Sequence, residues 1–292
     1  MSKPANSVAK TSQTMRNEVS MKKRYSQNEL REYFYEALDM FNGFIDTDIT
    51  RENVKLIFFT KENAVKRYEE MCGDFPKHLS EPYMAEGYFD DTAASAFVNG
   101  DKYGVLANAD IDFPLGEVLQ MYLHEIAHLF CTKNEVPGGN FFEKYCMGSG
   151  YDDGLMNAGY AIWREAIADI VADAVMSDYP TMNLAMAQEN IISLYDEVSF
   201  QNAGSKKAMS LIIAYSMISA EVARTRDWSK AKTEIQRCCE FDEQMVMILE
   251  MVFKKIHQQP LWEITPDFIE ELGNRYCMLL TRKRIKAIVM QK

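Results

Sequence analysis

The spacing of hydrophobic and polar positions changes several times along the chain, and each change marks an element. Over 26–44, Leu30, Tyr33, Phe34, Ala37, Leu38 and Phe41 recur at helical intervals. Ser26 with Glu29 three residues later reads as a capping box, and Gly43 as a stop. The run V-K-L-I-F-F over 54–59 is short and β-rich and predicts a buried strand, with a helix following over 61–72. Residues 73–93 carry Gly73, Pro76, Pro82 and Gly87 and read as loop, with His78 on its surface. Segments 94–99 and 103–108 predict a hairpin across Gly100, Asp101 and Lys102.

A longer helical pattern begins near Pro114, a residue suited to a first turn. Val118, Leu119, Tyr122, Leu123, Ile126, Leu129 and Phe130 give it an apolar surface on most sides, leaving one stripe to His124 and His128. It should end before Asn134, ahead of Pro137-Gly138-Gly139. Residues 137–154 hold five glycines and read as loop. A second helix is predicted over 157–177, with Ile162, Ala166, Ile167, Ile170, Ala174 and Val175 on its core side. Small residues Ala161, Ala168 and Ala172 leave room for another helix to approach. Glu165, Asp169 and Asp173 follow one another at intervals of four, and carboxylates in so apolar a helix are costly unless something pairs with them. Beyond Pro180 the spacing is helical throughout, over 183–198, 204–225, 228–238, 241–258 and 266–288.

Composition narrows the class. With 292 residues and 47% hydrophobic side chains, the chain is long enough and apolar enough to bury a core. A net charge of -11 argues against nucleic acid as a partner. The sequence has no apolar run of membrane-spanning length and no secretory h-region at its N-terminus, so no membrane role is expected. The six cysteines show no C-x-x-C spacing, and a reducing cytoplasm is the simplest home for them.

The chemistry lies in 121–130, M-Y-L-H-E-I-A-H-L-F, where His124, Glu125 and His128 form an H-E-x-x-H pattern. At this chain's own His and Glu frequencies, chance produces the pattern roughly once in two hundred such chains. Residues four apart share a helix face, so two neutral imidazoles at this spacing can grip one zinc ion per chain. Glu125 is placed to act as general base on a water that the metal activates. A catalytic site needs a third protein ligand, and Glu135, Glu143, Glu165, Asp169 and Asp173 are the carboxylates available. Cys131 and Asn134 stand where a metzincin would carry Gly and His, which excludes that class.

H-E-x-x-H at 124–128 with E-A-I-A-D at 165–169 resembles the gluzincin, thermolysin-like zinc metallopeptidases. The resemblance covers roughly residues 94–176. It implies Glu165 as third ligand and Asp169 as the carboxylate that orients His124. It also implies an edge strand that aligns an extended peptide, for which 103–108 is the candidate. Arg164 precedes the glutamate, and the gap from His128 to Glu165 is longer than in thermolysin, so the particular family stays open. Intracellular metallopeptidases that cleave repressors look similar. The carbonyl oxygen of a substrate would need a further donor, with Tyr160 first and Tyr151 and His257 behind it.

The expectation is therefore an α+β fold, mostly helical, with a small sheet packed on the H-E-x-x-H helix and a helical C-terminal region. A tail over 1–24 precedes a metallopeptidase domain over 25–180 and a helical subdomain over 181–292. The function expected is zinc-dependent hydrolysis of peptide bonds in a peptide or protein substrate. The alternative is a zinc-binding regulatory module without turnover, with the C-terminal helices as its working surface. Oligomeric state is not legible.

Overall fold

The first helix shows why the sequence pattern becomes structure. In α1 (Gln27–Phe44) both arms of the capping box are made, since Ser26 accepts the Glu29 N–H and Glu29 accepts the Ser26 N–H at 2.8 Å. Leu30, Phe34, Ala37, Leu38 and Phe41 are all fully buried along one face. The structure, a computed structural model, describes residues 24–77, 87–90, 92–136, 141–148, 150–176, 227–238, 243–258 and 264–290. The expected N-terminal tail up to residue 23, His78, and the helices expected over 183–198 and 204–225 lie outside these residues.

The fold is α+β, and the chain forms two compact units. One comprises Met1–Lys133 with Ala172–Met182, the other Asn134–Val171 with Asn183–Lys292. In the first unit a three-stranded sheet has the order β1-β3-β2. Strand β1 (Val54–Phe59) pairs in parallel with β3 (Lys102–Asn108), and β2 (Ala94–Asn99) pairs antiparallel with it. The hairpin is present, but its turn has two residues, Gly100 and Asp101, rather than the three expected. Gly100 has a φ of 60° and Asp101 keeps a negative φ, which is the pattern of a type II′ turn. Helix α2 (Ala64–Cys72) starts later than the expected 61, because Asn63 Oδ1 accepts the Thr60 N–H at 2.8 Å and closes a turn there.

Strand β3 is central, and this corrects the expectation that 103–108 offers an open edge. Tyr103 and Ala109 donate their N–H groups toward the β1 side, to Asn53 and Phe59, while Asn108 donates to Ala93 on the β2 side. The reason is legible in burial: Tyr103 to Ala107 are buried without interruption, whereas β2 buries only Phe97. A continuous apolar run marks a strand covered on both faces, and such strands sit inside sheets.

Helix α3 (Leu115–Lys133) packs along α1 and against β2. Phe34 meets Tyr122 edge-on at 5.3 Å, and Phe41 meets Phe130 at 5.9 Å. Covered in this way, α3 buries Val118, Leu119, Tyr122, Leu123, Ile126 and Leu129 completely.

The second unit contains α4 (Phe141–Tyr145), α5 (Tyr151–Val175) as far as Val171, α6 (Trp228–Cys238), α7 (Glu243–Gln258) and α8 (Pro266–Met290). Helices α4 and α5 enter the stretch 137–154 that reads as loop in sequence. The glycines hide the start of α5, but Asp153 accepts the Gly150 N–H at 2.8 Å, and Asp152 and Asp153 favour the positive end of the helix dipole. No helix among the described residues is long and apolar enough to cross a membrane.

Helices α5 and α8 meet backbone to backbone. A methyl group on Gly159 would collide with the Ile269 carbonyl oxygen, and one on Gly273 with that of Leu155. Trp163, fully buried one turn on, packs edge-on against Phe268 at 5.2 Å. Gly159→Ala and Gly273→Ala should each cost about 2 kcal/mol or more in urea unfolding. Gly43→Ala, with open space around it in the last turn of α1, should be neutral or slightly stabilising. Equal behaviour of all three variants would show that the helices do not need this contact.

Candidate metal centre

Helical geometry sets the first half of the centre. His124 and His128 lie one turn apart on α3, and their Nε2 atoms are 2.9 Å apart. The rings stand edge-on with centroids 4.5 Å apart. His128 is buried and His124 half-buried, so the pair sits at the lip of the interior rather than on an open face. Glu165 on α5 completes the group. One ligand atom from each of His124, His128 and Glu165 lies within 4.8 Å of the others. Two imidazole nitrogens and a carboxylate oxygen suit a divalent first-row metal. Ligands about 2.1 Å from a tetrahedral ion stand about 3.4 Å apart, so a small opening of the 2.9 Å histidine pair would admit one.

The other residues singled out in the sequence are placed by their own elements. Glu125 follows His124 and is only 8% exposed. Asp169 and Asp173 continue the Glu165 row on α5 and are also buried. Arg164 Nε stands 3.7 Å from Glu165 Oε1. None of the four rival ligands is in the group: Asp169 and Asp173 lie further along α5, Glu135 is exposed with a φ of 52° just past the end of α3, and Glu143 is exposed on α4.

The three candidate oxyanion donors differ in what the structure shows. Tyr160 stacks on Phe141 at 5.8 Å and lies 5.4 Å from Phe142. It precedes Glu165 by five residues, which turns it about 140° away around the helix. His257 on α7 is stacked on Phe253 at 4.4 Å, with Nδ1 3.0 Å from the Phe253 carbonyl oxygen, an arrangement of ordinary packing. Tyr151 begins α5, and its side chain lies outside the described residues.

Cys146 is close in sequence but chemically quiet. Burial, and then the charge of Asp153, push its thiol up to about 11, so it is not a ready thiolate. One polar residue escapes the motif reading altogether. Gln120 on α3 is buried, and the signal for it is a lone carboxamide four residues before His124 in an apolar stretch.

No family model matches the chain, and no curated protein or solved structure matches it either. The functional reading therefore rests on the geometry alone.

The group should bind one divalent metal per chain. His124→Ala, His128→Ala and Glu165→Ala should each abolish stoichiometric metal after dialysis, measured by elemental analysis. Metal that binds only the folded state should also raise the melting temperature, and a chelator should lower it. Full metal retention in Glu165→Ala would remove α5 from the centre.

Proposed function

We propose that the protein is a zinc metallopeptidase in which Glu125 is the general base. The observation that carries this reading is the grouping of His124, His128 and Glu165 with a buried carboxylate, Glu125, next in sequence to a ligand. Two histidines and a glutamate make a three-ligand set, which leaves a position open for substrate or water. Zinc, when bound there, would polarise the scissile carbonyl and bring the pKa of a water toward neutrality. Glu125 takes the proton as the carbon–oxygen bond forms. It then delivers that proton to the leaving nitrogen as the carbon–nitrogen bond breaks. Asp169, one turn beyond Glu165, is assigned to hold an imidazole N–H and fix its tautomer.

A substrate peptide can add to the sheet at β2. With Asn99 and Lys102 closing a two-residue turn, the odd-numbered residues of β2 bond to β3, as Ala93 does to Asn108. Ala94, Ala96 and Val98 then present N–H and C=O groups to the outer edge, and β2 runs along the helix that carries both histidines.

Mass-spectrometric profiling of a peptide library should show metal-dependent cleavage by the wild type. Glu125→Gln should keep the metal and lose at least about a hundredfold in kcat, because an amide cannot accept the proton. Asp169→Ala should bind zinc about ten- to a hundredfold more weakly. A Glu125→Gln variant as fast as wild type rules out Glu125 as the base.

Ala96→Pro removes an outward N–H without touching the hairpin ladder. It should raise KM with little change in melting temperature. An unchanged KM would mean that substrate does not use this edge.

A further inference from the structure

Gln120 stands in L-Q-M-Y-L, among Val118, Leu119, Tyr122 and Leu123, each fully buried. Apart from Glu125 and His128, both in the H-E-x-x-H motif, it is the one amide-bearing or charged residue buried on α3. Residues four apart share a helix face, so Gln120, His124 and His128 form a single row. Helical side chains lean toward the N-terminus, and the His124 ring therefore overhangs the turn holding Gln120, about 6 Å along the axis.

Two observations separate Gln120 from an ordinary packed residue. It is only 7% exposed, yet its side chain makes no hydrogen bond among the described residues. Nor is its amide sealed in the core. Among the described residues, the fully enclosed side-chain polar atoms without a partner are Tyr122 Oη, Trp163 Nε1, Trp228 Nε1 and Tyr276 Oη, and neither amide atom of Gln120 is among them. What exposure it keeps therefore includes the amide. A carboxamide that contributes nothing to internal bonding, keeps some exposure and shares a helix face with both histidines is placed for something that arrives from outside.

We propose that Gln120 is a substrate-binding residue. Its carboxamide pairs with a main-chain peptide group of the substrate, accepting from the N–H and donating to the C=O. Glutamine suits this position chemically, because it offers both a donor and an acceptor. It is also neutral, so it does not compete with Glu165 for the metal as a carboxylate there would. A peptide group is the same at every residue, so the contact adds affinity without selecting side chains. The proposal rests on the peptidase reading above.

The test uses Gln120→Met, which keeps length and helix propensity, with Gln120→Leu as a second variant. Metal content, melting temperature, kcat and KM are measured on each metal-loaded variant, with a peptide that the wild type cleaves. The expected result is KM raised about tenfold, kcat within about twofold, full metal, and a melting temperature unchanged or higher. Loss of a contact made equally to substrate and transition state moves KM alone. Three outcomes overturn the proposal. If KM is unchanged, Gln120 does not touch substrate. If metal affinity falls instead, its role is to orient His124. If both variants melt lower with KM unmoved, the amide is structural. A wild type that cleaves no peptide removes the peptidase reading and this proposal together, whereas an active wild type with unmoved variants removes only this one.

Discussion

A carboxylate enters a protein interior only when something there satisfies its charge, and this constraint organises the centre. Glu165, Asp169 and Asp173 are 6%, 3% and 5% exposed, spaced four apart on one helix. Glu125 and His128 are as deeply placed on another. Buried ionic groups are weak devices for stability, since well-packed apolar replacements are often as good or better. Their concentration in two helices therefore supports the proposed metal centre. A divalent cation answers the constraint directly, because it accepts lone pairs from neutral imidazoles and a carboxylate together.

Ligands need fixed positions, and in each unit the packing supplies them. Helix α3 is held on one side by α1 through Phe34–Tyr122 and Phe41–Phe130, and on another by β2. Its freedom to rotate is removed before any metal arrives, so the histidine row is presented in one orientation. On α5, the contact of Gly159 with the Ile269 carbonyl and the burial of Trp163 lie within two turns of Glu165. A backbone-to-backbone contact leaves less slack than one made through side chains, and the Glu165 carboxylate gains precision from it.

The helices were largely legible because their apolar spacing is long and regular. The bounds of α3 and α6, the end of α7, and the capping box of α1 follow from residues that any reader of the sequence sees. Histidine spacing was legible for the same reason, since i and i+4 define a face without any tertiary knowledge. Strand β3 was misjudged because a five-residue apolar run states only that both faces are covered. Whether its edges are covered depends on β1, which lies far earlier in the sequence, Val54 pairing with Tyr103. The start of α5 was missed because Gly148, Gly150 and Gly154 mask a turn that an aspartate side chain closes. Gln120 was missed because its one signal, a lone carboxamide a turn before His124 in an apolar run, gains weight only when its burial is known.

What separates a catalytic metal centre from a structural one is what the site leaves undone. A structural site closes its tetrahedron with four protein ligands, and nothing beyond them is required. Here the group found among the described residues supplies three, from His124, His128 and Glu165. Next to them the chain keeps Glu125, a buried carboxylate that the group does not need for holding metal. It also keeps Gln120, a buried carboxamide that internal hydrogen bonding does not need. Each would be cheaper as an apolar residue in a site that only held an ion. On the proposed reading, an open coordination position, Glu125 as base and the Gln120 carboxamide have one use in common, which is to act on a molecule that enters.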